Sequence, residues 1–497
     1  ENMEHKNLTL LTDLYELTMM QGYFKTENNR TVIFDAFHRK NPCDGAYAIS
    51  CGLEQVIDYI KNLHFTEDDI AYLRSLSIFD EDFLEYLSNF HFTGDIYAIP
   101  EGTVIFPREP IVKVIAPIME AQLVETAILN IINHQSLIAT KAARVCYAAK
   151  GDGIMEFGLR RAQGPDAGIY GARAAVIAGC VGTSNVLTGQ MFGVPVKGTH
   201  AHSWIMSFPD EYTAFKTYAD LYPDACILLV DTYDTLRSGV PNAIRVFKEM
   251  REKGIDLKGY GIRLDSGDLA YLTKKARKML DDAGFEDAII SASSDLDEYL
   301  IDSLKTQGAA ITSWGVGTNL ITSKDNPAFG GVYKLAAVMG DDGTFIPKIK
   351  LSENSEKITN PGNKTVYRVY DADGMIKADL IALADETYDE SQPLLLFDPV
   401  ETWKKTLMEP GEYSMREIMV KVFDKGECVY DSPNVMDIQK YCKQEQATLW
   451  DESKRLINPQ VVHVDLSQKL YDLKQELLHN YGPVSYTHLT LPTTSRV

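Results

Sequence analysis

The sequence predicts an α/β protein built around an irregular, incomplete parallel α/β barrel. A smaller α/β domain is joined to it, and a mostly helical C-terminal region follows. Three observations predict this class. Between residues 153 and 318 apolar runs of strand length recur about every 20–40 residues, each ending in a polar cluster and followed by a helical pattern, the rhythm of βα units. The clusters hold Gly, Ser, Thr, Asp, Arg and His, and they fall where barrels and open α/β sheets both carry their sites, after the strands. On either side of this stretch the texture changes to short β-runs broken by Pro and Gly. Six units are fewer than the eight of a closed barrel, so an open doubly wound sheet is the alternative.

In chain order, residues 8–24 carry apolar positions at helical spacing, with Thr12 or Asp13 as N-cap. Residues 31–37 alternate as a strand and lead to the basic pair Arg39 and Lys40. A helix is expected over 53–63, then an acidic, Tyr-rich helical pair to about residue 90. Residues 94–119 read as a small antiparallel or sandwich-like unit, and 120–150 as a buried helix rich in small residues. The six strands of the barrel are expected at 154–157, 194–196, 226–230, 260–264, 288–291 and 310–313, with helices such as 269–283 and 296–305 between them. Residues 332–338, 347–351 and 365–370 read as strands that rejoin the N-terminal unit. The expected organisation is an N-terminal α/β domain over 1–140 (completed by about 335–400), a barrel over 141–334, a helical region over 401–480, and an unstructured or non-native tail over 481–497.

The 497 residues carry a formal net charge of −21, with 45% hydrophobic and 24% charged residues. That balance suits a soluble globular protein and argues against general nucleic-acid or anionic-membrane binding, which both want a basic surface. Any anionic substrate must then be held by local basic groups and backbone amides. Seven scattered cysteines without a C-x-x-C pair point to a reducing, cytoplasmic setting. No apolar run approaches the ~20 residues of a membrane span, and the N-terminus is too polar for a signal peptide.

The candidate chemistry centres on Gly198-Thr-His-Ala-His-Ser-Trp204. His200 and His202, at alternate positions after a strand-like run, would project on one face. Three readings are open: packing, an H-x-H metal site, and a reactive imidazole. The metal reading lacks further histidines, because none occurs between 203 and 462. The other strand ends offer different groups. Gly315-Val-Gly-Thr318 can turn amides toward an anion or simply make a tight turn. Ser293-Ser294-Asp295 reads as a helix N-cap whose hydroxyls and amides could hold a phosphate. Asp265-Ser-Gly-Asp268 could bind Mg²⁺ or ribose hydroxyls, or make a capped turn. Arg160, Arg161 and Arg263 match phosphate and carboxylate geometrically. Asp231 is expected to face His202 from a nearby strand and orient its ring. Residues 226–239 superficially resemble the diphosphoribose loop of type I phosphoribosyltransferases, but Asp231 and Asp234 are separated and no Thr-Gly follows.

Taken together the stretches Thr12-Asp-Leu-Tyr-Glu-Leu-Thr-Met, Phe157-Gly-Leu-Arg-Arg-Ala-Gln-Gly-Pro-Asp, Gly182-Thr-Ser-Asn-Val-Leu, Gly198-Thr-His-Ala-His-Ser, Arg263-Leu-Asp-Ser-Gly-Asp and Gly315-Val-Gly-Thr resemble the nicotinate phosphoribosyltransferase family, in family order over about residues 8–335. The resemblance implies a type II phosphoribosyltransferase fold, as a homodimer with shared sites. It implies transfer of phosphoribose from 5-phosphoribosyl-1-diphosphate to nicotinate, with Mg²⁺ and coupled to ATP, in NAD synthesis. By position His202 would be a phosphohistidine and Asp231 its partner. Tyr15, from the neighbouring subunit, would stack on the pyridine ring with Phe157. Arg263 and Thr199 would contact nicotinate, and Asp265 would hold ribose or Mg²⁺. Ser293, Ser294, Gly317 and Thr318 would cradle the 5-phosphate, with Arg39 and Lys40 at the diphosphate. Ser184 stands where nicotinamide-using relatives resemble one another in having an acid, so it suits an anionic base. The rivals are a nicotinamide-using enzyme of the same fold, an H-x-H metal-dependent hydrolase on a barrel, and a barrel that only binds a nucleotide.

Overall fold

The computed structural model describes residues 7–482. Apart from Tyr481 and Gly482, which end the last helix, the expected tail lies outside the described residues.

Residues 31–38 (TVIFDAFH) alternate, and the strand Thr31–His38 uses both faces. Val32, Phe34 and Ala36 enter the N-terminal core, Ile33 meets Ala336 and Ala337, and Asp35 pairs with Lys364 at 2.8 Å. Such two-sided burial suits a strand in the interior of a sheet. It lies third in a seven-stranded antiparallel sheet, ordered Phe345–Pro347, Gly331–Met339, Thr31–His38, Val112–Pro117, Asp95–Ala98, Val420–Asp424 and Glu427–Cys428. Helices Leu14–Lys25, Leu53–Lys61, Glu67–Ser75 and Glu81–Ser88 contribute to its core.

The second sheet has six parallel strands, ordered Gly182–Thr183, Gly153–Glu156, Ser313–Val316, Ile289–Ala292, Gly261–Leu264 and Ile227–Leu229. Two expected strands shift. Residues 194–196 contribute only a single bridge, Val196 to Thr183, and the sixth strand is Gly182–Thr183 instead. The strand expected at 310–313 runs from Ser313 to Val316, so Gly315 lies within it and only Gly317 and Thr318 reach the helix start. Between the two edges of this sheet lies the segment carrying the histidines: Val196 touches one edge, and the Leu229 amide on the other donates to His200 Nε2 at 3.3 Å.

The helix Glu125–Ala148 runs across residue 140. Its first half buries Ala127, Ile128 and Ile132 in the N-terminal core, and its second half buries Ala139, Ala142 and Val145 in the core of the parallel sheet. Buried ion pairs add ties between the units. Arg173 pairs with Glu101 and Glu54, both at 2.7 Å, and Glu298 pairs with Lys141 and Arg144.

The expected helical region over 401–480 is only partly helical. Residues 405–428 form the strands Lys405–Met408, Tyr413–Glu417, Val420–Asp424 and Glu427–Cys428, and the helices are Val435–Ala447, Asp451–Lys454 and Gln468–Tyr481. The charged segment looks helical by composition, yet Tyr413–Glu417 joins a four-stranded sheet with Lys364–Asp371, Ile376–Leu383 and His463–Leu466. Pairing partners that far away in the chain override local preference. Among the described residues no helix is long and apolar enough to cross a membrane.

Candidate active site

Each βα unit ends its strand and starts its helix with polar residues that have separate duties. Asp268 accepts from the Tyr271 amide as N-cap of Leu269–Asp282, and Asp234 caps the next turn through the Arg237 amide. Asp297, not Ser293 or Ser294, caps Glu298–Thr306 through the Leu300 amide. With capping supplied by these residues, the groups directly after the strands are free to face one another.

They form a connected chain. Arg263, next to last in its strand, donates from Nη1 to Thr199 Oγ1 at 2.7 Å and from Nε to Ser293 Oγ at 2.8 Å. Ser293 Oγ donates to Asp265 Oδ1 at 2.6 Å. Asp265 Oδ2 lies 3.6 Å from His202 Nε2, and Asp231 Oδ1 lies 3.8 Å from the same nitrogen. Asp231 Oδ2 accepts from the Asp265 amide at 2.8 Å and from Ser266 Oγ at 2.6 Å. Its Oδ1 is buried without a hydrogen-bond partner. Unpaired buried carboxylate oxygen is costly, so it fits a position awaiting a cation or donor.

Phe157 forms one wall. Its ring lies 5.9 Å from the Arg263 guanidinium. A Cβ on Gly315 would stand 2.6 Å from that ring, and one on Gly158 would stand 2.5 Å from Ile321 and 2.8 Å from the Gly317 carbonyl. Glycine is required at both for the turns to approach. Beneath them Glu156 is buried, accepts from Thr183 Oγ1 at 2.6 Å and from the Gly158 amide, and its carboxyl is pushed up by burial.

The two histidines part company. His200 is buried against Tyr218, with Nε2 accepting from Leu229 and Nδ1 facing the Ala201 carbonyl; burial pushes its pKa down to about 4. It is a neutral packing residue. His202 is the first residue of the helix His202–Met206, 38% exposed, with Nδ1 2.9 Å from Thr232 Oγ1. The shared-face expectation fails because residues 194–196 make only a bridge and His202 opens a helix, so period two does not apply. An H-x-H metal pair is accordingly not formed. The one cluster of metal-type groups among the described residues, Cys43, Glu298 and Asp325, already has its carboxylates on Lys141 and Arg144.

Of the remaining sequence candidates, Arg160 and Arg161 are exposed in the turn Leu159–Arg161; burial pushes the Arg263 guanidinium's pKa down, and repulsion from nearby Arg160 adds a little. Ser294 is exposed with φ 119°, a strained value for a non-glycine. Gly317 is the N-cap position of Thr318–Ile321. Ser184 donates its amide to the Glu156 carbonyl at 3.0 Å. Tyr15 is 47% exposed on Leu14–Lys25, and burial and Glu125 push its hydroxyl up. Lys40 pairs with Asp44 at 2.7 Å, and Arg39 lies 6.0 Å from the Phe37 ring; neither joins the linked chain above. Sequence reading missed Thr232 and Ser266. Each directly follows a site aspartate, which is the signal that could have found them.

Comparison with known proteins follows the same map. The nicotinate phosphoribosyltransferase N-terminal domain model matches residues 10–133, the family model 153–365, and the C-terminal domain model 363–474. A Bacillus subtilis protein named nicotinate phosphoribosyltransferase is 49% identical over 475 residues, 95% of this chain and 96% of its own length. The human protein of that name is 31% identical over 95% of this chain and 97% of its own length. Among solved structures, human nicotinic acid phosphoribosyltransferase superposes with a TM-score of 0.81 at 29% identity, covering 94% of this chain and 99% of that one. A Pyrococcus furiosus nicotinate-nucleotide pyrophosphorylase shares the fold, with a TM-score of 0.67 at 22% identity over 90% of this chain and 98% of that one.

Proposed function

Because the chain belongs to the nicotinate phosphoribosyltransferase family, we propose that it transfers the 5-phosphoribosyl group of 5-phosphoribosyl-1-diphosphate to nicotinate, yielding nicotinate mononucleotide and diphosphate for NAD synthesis. The observation that carries this reading is the Arg263 guanidinium. It hangs between Thr199 and Ser293 near the Phe157 ring, and its nearest acid, Asp265 Oδ1, is 3.6 Å away. A guanidinium held by neutral hydroxyls, with Arg160 close by, favours a planar carboxylate. Nicotinate brings that carboxylate; nicotinamide does not.

Nicotinate's ring nitrogen is already a nucleophile, so the protein has to position it rather than deprotonate it. Phe157 and Arg263 hold the ring and carboxylate. Ser293, Ser294, Gly317 and Thr318 meet the 5-phosphate with hydroxyls and helix-start amides. Asp231 and Asp265 offer the hard oxygen donors that suit Mg²⁺, which when bound neutralises charge on the leaving diphosphate. Arg161, Arg39 and Lys40 add positive charge for that group. His202, half-exposed and flanked by Asp231 and Asp265, accepts the terminal phosphoryl group of ATP as ADP leaves, and hydrolysis of this phosphohistidine to inorganic phosphate drives the cycle. Tyr15 completes the ring's other face from a second copy in a homodimer; its exposure supports this. Free thiols at all seven cysteines accord with a cytoplasmic enzyme.

Comparing kcat/KM for nicotinate and nicotinamide tests the assignment. Nicotinate is preferred, and Arg263→Gln lowers its kcat/KM by more than tenfold while changing that of nicotinamide little. An equal loss for both bases refutes the carboxylate role. His202→Ala abolishes phosphoenzyme and ATP stimulation but keeps slow ATP-independent turnover; full ATP-coupled activity in that variant removes the phosphohistidine.

A further inference from the structure

A second region has charges that the proposed reaction leaves unused. A cavity of about 50 Å³ lies where the four-stranded sheet and the helix Gln468–Tyr481 meet the loop carrying Arg108. Asn360, Tyr471 and Lys474 line it beside apolar side chains such as Leu466. A water needs roughly 10–15 Å³ of such space, so there is room for a few waters or one tetrahedral oxyanion. A smaller cavity shares Arg108 and Asn360 and reaches Asp35 and Lys364. None of these residues belongs to the strand-end site.

The charges here do not balance. Lys474 Nζ donates to Asn360 Oδ1 at 2.9 Å and, among the described residues, meets no carboxylate. The Arg108 guanidinium makes no hydrogen bond or ion pair among the described residues; its amide donates to the His38 carbonyl at 2.7 Å. Burial, followed by repulsion from Arg108 and Lys364, pushes Lys474 down to about 8. The acids nearby are Asp35, already paired with Lys364 at 2.8 Å, and Glu356, exposed at the rim of the smaller cavity. Arg108 also holds φ at 73°, a left-handed conformation that glycine or asparagine would adopt more readily. In a chain of net charge −21, two mutually repelling cations facing one cavity, one of them on a strained backbone, have no carboxylate partner among the described residues. Strain of this kind persists where the surroundings or a ligand reward it.

We propose that this cavity binds a small phosphate-class oxyanion, gripped by Arg108 from the N-terminal unit and Lys474 from the last helix. Lys474 occupies the Asn360 carbonyl oxygen, which turns the Asn360 amide N–H groups outward as donors, and the Tyr471 hydroxyl adds another. Apolar walls lower the local dielectric and strengthen the pull on the anion. Because the two cations come from segments more than 360 residues apart in sequence, the anion ties the C-terminal sheet to the N-terminal one and stabilises the folded chain by mass action. The ligand is either free inorganic phosphate or the terminal phosphoryl group of a nucleotide.

Two measurements on the full chain test this. In crystals grown without phosphate and soaked in sodium tungstate, an anomalous peak is expected within hydrogen-bond reach of Arg108 and Lys474. It is expected to vanish in Arg108→Gln/Lys474→Gln. In solution, inorganic phosphate is expected to raise Tm in the wild type and in Arg263→Gln, and to lose most of that effect in the double variant. If the double variant does not fold, Asn360→Asp, isosteric and placing a carboxylate on Lys474, is expected to abolish the peak and the phosphate effect. A shift with phosphate identifies the free anion, and one with a non-hydrolysable nucleotide but not phosphate identifies the phosphoryl group. No peak in the wild type, or phosphate shifts equal in wild type, double variant and Asn360→Asp, overturns the proposal. The proposed transferase reaction stands or falls separately, on the base-preference assay.

Discussion

Two aspartates three residues apart follow each of two strands, and the members of each pair have opposite duties. Asp231 and Asp265 turn toward His202, whereas Asp234 and Asp268 bind the backbone of the following turn. Within two residues of the strand end the carboxylate still lies at the end of the sheet, and three residues later the chain has reached the N-cap of the next element, where a carboxylate satisfies an otherwise orphan amide. Substitution separates the duties. Asp268→Ala lowers stability by about 1 kcal/mol, the cost of a lost cap, with kcat/KM close to wild type. Asp265→Asn keeps Tm near wild type and loses most of the activity. Paired thermal melts and initial rates check both, and the reverse pattern would exchange their roles.

At the scale of elements, the site depends on how closely two turns approach. The strands Gly153–Glu156 and Ser313–Val316 run side by side, with Met155 opposite Gly315. The missing side chain at Gly315 leaves the space that the Phe157 ring fills. Gly315→Ala places a methyl 2.6 Å from that ring, well inside contact distance, so the ring must move. A raised KM for the aromatic base and a lower Tm are expected together, and unchanged steady-state kinetics would show that Phe157 does not line the bound base. Gly22→Ala is the control: a Cβ there meets nothing within 4 Å on a helix, so up to about 1 kcal/mol of stabilisation is expected.

For the whole molecule, the pH response of stability follows from buried groups outside the site. Asp465 is buried in the strand His463–Leu466, its Oδ1 has no partner among the described residues, and burial followed by Asp398 pushes its pKa up to about 7. Between about pH 4 and 7 the folded chain therefore holds a proton that the unfolded chain has lost, so this group's contribution to stability falls as pH rises through that window. Asp465→Asn removes the effect. Its Tm is expected to match wild type near pH 4 and to exceed it by a growing margin up to pH 7. A constant difference across the window would mean that Asp465 is not the group responsible. Lys474, pushed down to about 8, works in the opposite range. The unfolded chain binds the extra proton above pH 8, so stability from this group rises with pH there.

What the sequence by itself determined is the local order: strand, polar cluster, capped helix, with Asp231, Arg263, Asp265 and Ser293 at strand ends and His202 in a polar cluster of its own. Period, caps and turns are set by neighbours in the chain and can be read without coordinates. Tertiary structure alone decided that His200 is buried while Asp265 joins Asp231 beside His202, that Ser293 joins Arg263 to Asp265, and that residues 413–417 become a strand. Those outcomes rest on partners 28 or more residues away, from Asp265 for Ser293 to Tyr367 for Glu417. Burial and pairing across such distances carry no signature in a local window, because the energy that selects them appears only when the distant segments meet.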